Sequence, residues 1–189
     1  MAGHKFDSHH GGFLDHQLRH LMIPVEKIIE EVAPGAAETW ADVGCGTGFF
    51  TLPLASRVAH VKALDISEDM LFKLRAKLEA AGVTNVEPQR SLESLLPLEA
   101  SSVDGVIMAF VAHELAEPAA FMGEVARCLK DNGRLVIVEH ARVVSPGPPM
   151  SERLEEDQVD AWTADAGLLK GRSWQFTRAV VGWEYVKSR

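Results

Sequence analysis

The sequence predicts an α/β fold with a largely parallel sheet, and three stretches carry that expectation. Thr39–Val43 is a β-type run that enters a glycine turn, Gly44-Cys45-Gly46-Thr47-Gly48, and leaves through a helical run, Phe49–Ala55. Val61–Asp65 is a second short strand, followed at once by the helix start Ser67-Glu68-Asp69. Val103–Phe110 is almost continuously apolar, which suits a strand covered on both faces, as in parallel sheets.

Length and composition set the frame. The 189 residues suffice for one domain with a sizeable core, and 47% hydrophobic with 24% charged residues is ordinary for a globular protein. No apolar run approaches the ~18 residues that span a bilayer, and the first twelve residues hold no signal-type apolar core. The two cysteines, Cys45 and Cys128, make a poor disulfide framework, so a reducing cytoplasm is expected. A net charge of −8 gives no general attraction to phosphate backbones, which argues against nucleic acid as a partner.

The glycine turn organises the chain. Glycines at alternate positions let the backbone turn sharply and approach a ligand, and the following helix points its free N–H groups at that ligand. The dinucleotide pattern G-x-G-x-x-G needs a glycine at position 49, where Phe49 stands. Asp42 precedes the turn. An acid there suits a positively charged ligand and would repel a pyrophosphate. S-adenosylmethionine (SAM) carries a sulfonium and an ammonium and no phosphate. Asp65 lies 21 residues past Gly44, the distance at which a second strand presents a carboxylate to a ribose.

The remaining elements follow in order. Leu14, Leu18, Leu21 and Met22 form a short apolar stripe. Pro24 suits the first turn of a helix with core positions Ile28, Ile29 and Val32, stopped by Pro34-Gly35. Residues 1–35 read as a cap beside the glycine turn, and residues 1–22 as a lid. His16 and His20 stand at i, i+4 near His9-His10, a spacing that fits a metal pair. No cysteine or paired acid completes a ligand set, so solvated histidines and no metal are expected. Ser67 reads as the N-cap of a helix whose buried face is Met70, Leu71, Leu74, Leu78 and Ala81, with Gly82 as the stop. Asn85–Arg90 is a weak third strand. After Val103–Phe110, Pro118 opens a helix with Phe121, Met122, Val125, Ala126 and Leu129 inward and Asn132-Gly133 as its stop, before a fifth strand, Gly133–Glu139. Ser151 reads as the cap of a helix to about Ala166. Leu168–Thr177 and Val180–Lys187 read as a closing hairpin.

The stretch DVGCGTG (42–48) resembles the first motif of the class I SAM-dependent methyltransferases, and EVARCLKDNGRLVIVE (124–139) resembles that family's passage into its fifth strand. The resemblance covers roughly residues 36–189. It implies a Rossmann-like, doubly wound sheet of seven strands, mostly parallel with an antiparallel last strand, helices on both faces, and a single methyltransferase domain. It also implies SAM as cofactor and S-adenosylhomocysteine (SAH) as product. On this resemblance Gly44, Cys45, Gly46 and Gly48 shape the loop around the methionine moiety, Asp42 favours its cationic end and Asp65 binds the ribose. Ile66 or Met70 flanks adenine, and Phe110 lies at the cofactor edge, with Phe6 and Asp7 as further candidates. The family often has an acid at the end of the third strand to meet the adenine amino group. Ser91-Leu92-Glu93 stands there instead, with Ser91 as a donor or acceptor, the Leu92 backbone N–H for an adenine nitrogen, or Glu93 in place of the acid.

Methyl transfer from a sulfonium needs alignment and exclusion of water more than it needs a particular side chain. The chain most resembles the short family members, which implies a small-molecule acceptor, and the cofactor half does not identify it. Two cysteines, one of them inside the glycine turn, disfavour arsenite. The acceptor pocket is expected from the cap, the loop after Phe110 and the loop Ser145–Met150, with a homodimer as one way to complete it. His113, three residues past Phe110, is either a general base or a polar residue holding a helix start; Glu114, its chain neighbour, is not expected to orient it. Two other functions stay open, a SAM-binding module without transferase activity and a nicotinamide-dependent oxidoreductase.

Overall fold

A computed structural model describes residues 22–188. The expected lid, its histidines His9, His10, His16 and His20, the stripe positions Leu14, Leu18 and Leu21, and the candidates Phe6 and Asp7 lie outside the described residues.

Seven strands form one sheet: β1 (Thr39–Val43), β2 (His60–Asp65), β3 (Val86–Arg90), β4 (Val103–Ala109), β5 (Leu129–His140), β6 (Leu168–Thr177) and β7 (Val180–Lys187). Their order is β3-β2-β1-β4-β5-β7-β6. β1 to β5 pair in parallel, and β7 runs antiparallel between β5 and β6. The order reverses between β1 and β4, and ligands of such sheets sit in the crevice beyond the carboxyl ends of the strands at that point.

Helices cover both faces. α1 (Val25–Val32) buries Val25, Ile28, Ile29 and Val32, the stripe that its 3.6-residue period dictates. It shares one core with Trp40, Leu54, Ile107, Val136 and Val138. Its last carbonyls are held: Arg134 Nη1 donates to Val32 O at 2.9 Å and Arg172 Nη2 to the same oxygen at 3.2 Å. Both guanidiniums converge on Glu184 of β7, whose carboxyl they hold below its ordinary range against the opposing effect of burial. This helix is therefore tied into the sheet face by its core residues and by its last carbonyls.

α2 (Thr51–Ala55) and α3 (Glu68–Ala81) follow β1 and β2. Ser67 caps α3 by accepting from the Met70 N–H, and Gly82 closes it at φ 64°. Leu71, Leu74 and Leu78 are buried as expected, but Met70 is only half-buried and Ala81, in the last turn, is exposed.

Two expectations fail further along. α4 (Pro118–Cys128) ends before Leu129, which belongs to β5 and pairs with Val103. Asn132 takes φ 63°, and a register shift between Val103 and Gly105 absorbs the extra residues, so the helix stop read at Asn132-Gly133 is a bend within the strand. The last helix, α5 (Glu156–Ala164), is capped by Glu155 with Gln158, not by Ser151. The reason is Arg153, which is buried and donates to the carbonyls of Ala141, Val143, Ser145 and Pro148 at 2.5–3.0 Å. Arg153 ties the loop after β5 to itself and holds its own backbone extended, so residues 150–152 form only a 3₁₀ turn.

Trp40 on β1 is the largest fully buried side chain, and its β4 partner is Gly105. A Cβ at Gly105 would stand 2.3 Å from the indole, which Glu38 fixes through a 2.7 Å bond to Nε1. Gly105→Ala is expected to overpack this site and destabilise the fold by about 1–3 kcal/mol, read as a lowered denaturant midpoint. An unchanged midpoint would show that Trp40 moves freely.

Candidate active site

The glycine turn sits where the sheet order reverses. Gly44, Gly46 and Gly48 all adopt positive φ, at 71°, 53° and 91°. The turn is stitched to the neighbouring strand: the N–H groups of Gly44 and Cys45 both donate to Leu64 O, at 2.8 and 3.0 Å. A Cβ at Gly44 would collide with Val111 at 2.3 Å, and one at Gly48 with Leu74 at 2.6 Å. At Gly46 the corresponding direction meets none of the described residues within 4 Å. Two glycines thus serve packing, and the middle one is uncovered by the described residues.

The helix after the turn is shorter than the sequence suggests. It starts at Thr51 and spans five residues, because Pro53 supplies no N–H to extend it backwards. Its dipole is correspondingly small, and the N–H groups of the turn itself define the cradle.

Asp65 ends β2 and joins both walls of the cleft. Its Oδ2 accepts from the Gly46 N–H and its Oδ1 from the Ser67 N–H, each at 2.8 Å. A carboxylate has about four acceptor sites, so capacity remains for the two hydroxyls of a ribose. Asp42 stands behind the turn, buried, with the Thr51 hydroxyl donating to Oδ2 at 2.6 Å. Burial pushes its pKa up to about 7; the Thr51 hydrogen bond works against this and the Asp65 charge adds to it. Cys45 is buried too, and burial together with Asp42 and Asp65 holds its thiol well above the ordinary range, as a neutral donor.

The residues expected beside adenine lie at the carboxyl ends of β2 and β3. Ile66 is exposed at the carboxyl end of β2 and Met70 lies half-buried one turn on, so both offer apolar surface beside Asp65. Ser91 is buried, and its N–H donates to Asp65 O at 3.0 Å. Leu92 does not offer its N–H outward: it donates to Leu95 O at 3.1 Å, closing a turn. Its exposed side chain is what it presents.

Phe110 marks the end of β4 with φ 60°, a conformation costly for a bulky residue and found where function imposes it. Its ring lies 4.6 Å from that of His140 and 6.2 Å from Phe50. The next residues form a 3₁₀ turn, Ala112–Glu114, which carries His113. His113 Nδ1 lies 2.9 and 3.0 Å from the two carboxylate oxygens of Glu139, at the end of β5. Glu114, the chain neighbour, reaches only to 3.8 Å from Nε2. Burial disfavours the imidazolium, but the hydrogen bond and charge of Glu139, with the charges of Glu114 and Glu152, outweigh it and raise the pKa above 6.5.

Glu139 is the residue that reading the sequence missed. A signal was present: it is an acid closing the apolar run Leu135-Val136-Ile137-Val138. A carboxylate buried at that position requires a partner, and the β4–β5 register, with Ala109 beside Val138, places it against the segment after Phe110. Among the described residues, no group of three His, Cys, Asp or Glu side chains is arranged to hold a metal ion.

The residues present fit an adenosyl cofactor without phosphates: a turn whose middle glycine meets no described residue, a pinned carboxylate at Asp65 with capacity for hydroxyl donors, and the acids Asp42 and Asp65 at the turn, with the Lys77 ammonium engaged by Thr47 O and Oγ1 at 3.0 and 2.9 Å. Fold and site together define a doubly wound α/β domain for such a cofactor. Comparison with known proteins agrees. The family described as "Methyltransferase domain" matches residues 41–137. The chain is 38% identical over 122 residues to a demethylmenaquinone methyltransferase of Clavibacter sepedonicus, covering 65% of this chain and 48% of that protein. It is 34% identical over 130 residues to a phosphatidylethanolamine N-methyltransferase of Cereibacter sphaeroides, covering 67% and 64%. The chain thus spans about half to two thirds of those relatives. A SAM-dependent methyltransferase structure from Aquifex aeolicus superposes with a TM-score of 0.85 at 31% identity, covering 92% of this chain and 94% of that one. The chain belongs to the SAM-dependent methyltransferase family.

Asp65→Ala removes a charge-assisted acceptor worth about 1.5–3 kcal/mol, so SAM affinity is expected to fall roughly 10- to 150-fold in a folded protein. Calorimetry reads this directly. An unchanged dissociation constant would remove Asp65 from the cofactor site.

Proposed function

We propose that this protein transfers the methyl group of SAM to a small-molecule acceptor, with His113 taking the acceptor's proton. The observation that carries the reading is His113 itself, a base with a raised pKa held just past the Phe110 strand end, at the carboxyl end of the strands beside the cradle. The family, and relatives whose names speak of menaquinone and phospholipid precursors, support a small-molecule acceptor.

Bound SAM supplies an electrophilic methyl whose bond to sulfur breaks as the acceptor–methyl bond forms, leaving SAH. The chain's own residues bind and align. Gly44, Gly46 and Gly48 set the cradle, with Cys45 packed beneath it. Asp65 holds the ribose, Ile66 and Met70 flank the adenine, Ser91 closes its edge and Phe110 borders the reacting centre. Asp42, charged only above about pH 7, favours the cationic end. The acceptor's hydroxyl or protonated amine gives its proton to His113 Nε2, and the loop fixed by Arg153 forms one wall of the acceptor space. The two cysteines are free and buried, which supports a reducing cytoplasm rather than arsenic chemistry. No helix among the described residues is long and apolar enough to cross a membrane. One domain with α1 in its core, acting as a homodimer and without nucleic acid, completes the reading.

His113→Gln tests it. Against a panel of phenols, hydroquinones and amines, SAH release should fall at least ~100-fold in kcat, as loss of a general base costs 10²–10⁴, while SAM affinity holds. A loss below about tenfold would leave His113 a loop-holding residue. SAM binding without turnover on any acceptor would favour a binding module.

A further inference from the structure

We infer that Glu139 is a positioning residue for His113, holding the imidazole as its Nδ1–H tautomer so that Nε2 is the atom that receives the acceptor's proton. This rests on the base role proposed for His113. Glu139 is 1% exposed, directly after the apolar run Leu135–Val138 of its strand, and its cross-strand partner on β7 is Val181. A carboxylate so placed is costly unless hydrogen-bonded and paired. Among the described residues its one ionic partner is His113.

The geometry assigns the tautomer by chemistry alone. An ionised carboxylate only accepts, and both of its oxygens lie within 3.0 Å of Nδ1, so Nδ1 carries the proton. The same carboxylate also accepts the His113 N–H at 3.3 Å and the His140 N–H at 3.4 Å. It therefore fixes the ring, the backbone that bears it and the strand end together. Nε2 keeps its lone pair; Glu114 Oε1, 3.8 Å away, is beyond hydrogen-bond reach. Had Glu139 been a neutral amide, its NH₂ could donate to Nδ1 and drive the proton onto Nε2, removing the base.

The charges facing His113 come from three elements: Glu139 of β5, Glu114 of its own turn, and Glu152 of the second 3₁₀ turn. All three favour the imidazolium. The neutral base therefore forms only as pH rises through a midpoint above 6.5, and activity should rise with pH across that range. Taking away the nearest charge should move the midpoint down.

The test is ¹⁵N NMR of the imidazole in the whole protein without cofactor or acceptor, with the His113 signals identified by their loss in His113→Gln. Wild type should show the Nδ1–H tautomer and a titration midpoint above 6.5. In Glu139→Gln the midpoint should fall by about 1–3 pH units, as for loss of an opposite charge in contact, and the acidic limb of SAH release should move with it. Glu139→Asp keeps the charge and should retain a higher midpoint than Glu139→Gln. An Nε2–H tautomer in wild type overturns the inference, and that measurement stands even if the variants do not fold. A midpoint unmoved by Glu139→Gln overturns it as well. Because the NMR needs no turnover, a correct tautomer in a protein that methylates nothing would count against the base role and not against the positioning.

Discussion

The cleft at the glycine turn depends on one carboxylate. Asp65 receives the Gly46 N–H from one wall and the Ser67 N–H from the other. It does so at the end of a strand whose penultimate carbonyl, Leu64 O, already binds the first two N–H groups of the glycine turn. The turn is thereby fastened to β2 rather than to the five-residue helix that follows it. Charge-assisted bonds of this kind are shorter and stronger than neutral ones. The positive φ of all three glycines is the conformational condition for this fastening, since a Cβ at Gly44 or Gly48 would drive the turn off its neighbours.

A second constraint shapes the reacting side. Phe110 leaves β4 in a left-handed conformation, while its N–H still donates to Val138 O at 2.8 Å. The chain therefore turns abruptly at the end of a fully paired strand. That turn delivers His113 to Glu139 on the adjacent strand. Beyond β5 the chain would be a free loop of small residues and prolines, but the buried Arg153 satisfies four of its carbonyls. Buried donors and acceptors have to be paired, and here a single guanidinium does it for a segment with no sheet or helix of its own.

Much of this was legible in the chain. The strands β1, β2 and β4, the Ser67 cap, the Gly82 stop and the closing hairpin follow from local periodicity and cap chemistry, and the structure places them within a residue or so of expectation. The position of Asp65 was legible because the strand–turn–helix unit fixes its distance from Gly44. What was not legible depends on contacts distant in sequence. Leu129 reads as a helix position until Val103 claims it for the sheet. Ser151 reads as a cap until Arg153 holds the following backbone extended. The Leu92 N–H reads as available until Leu95 closes a turn on it. Glu139 reads as the end of an apolar strand until the parallel register sets it beside the segment after Phe110, 26 residues earlier for His113. In each case local propensity was sound and a tertiary partner decided the outcome.

The central claim is that the Asp42–Asp65 cleft takes an adenosyl cofactor without phosphates. Titration calorimetry of the protein with SAM and, separately, with NAD tests it most directly. The account predicts saturable SAM binding at one site per chain and no measurable binding of NAD, because Phe49 replaces the third glycine and two acids flank the turn. Saturable NAD binding with no SAM binding would contradict it.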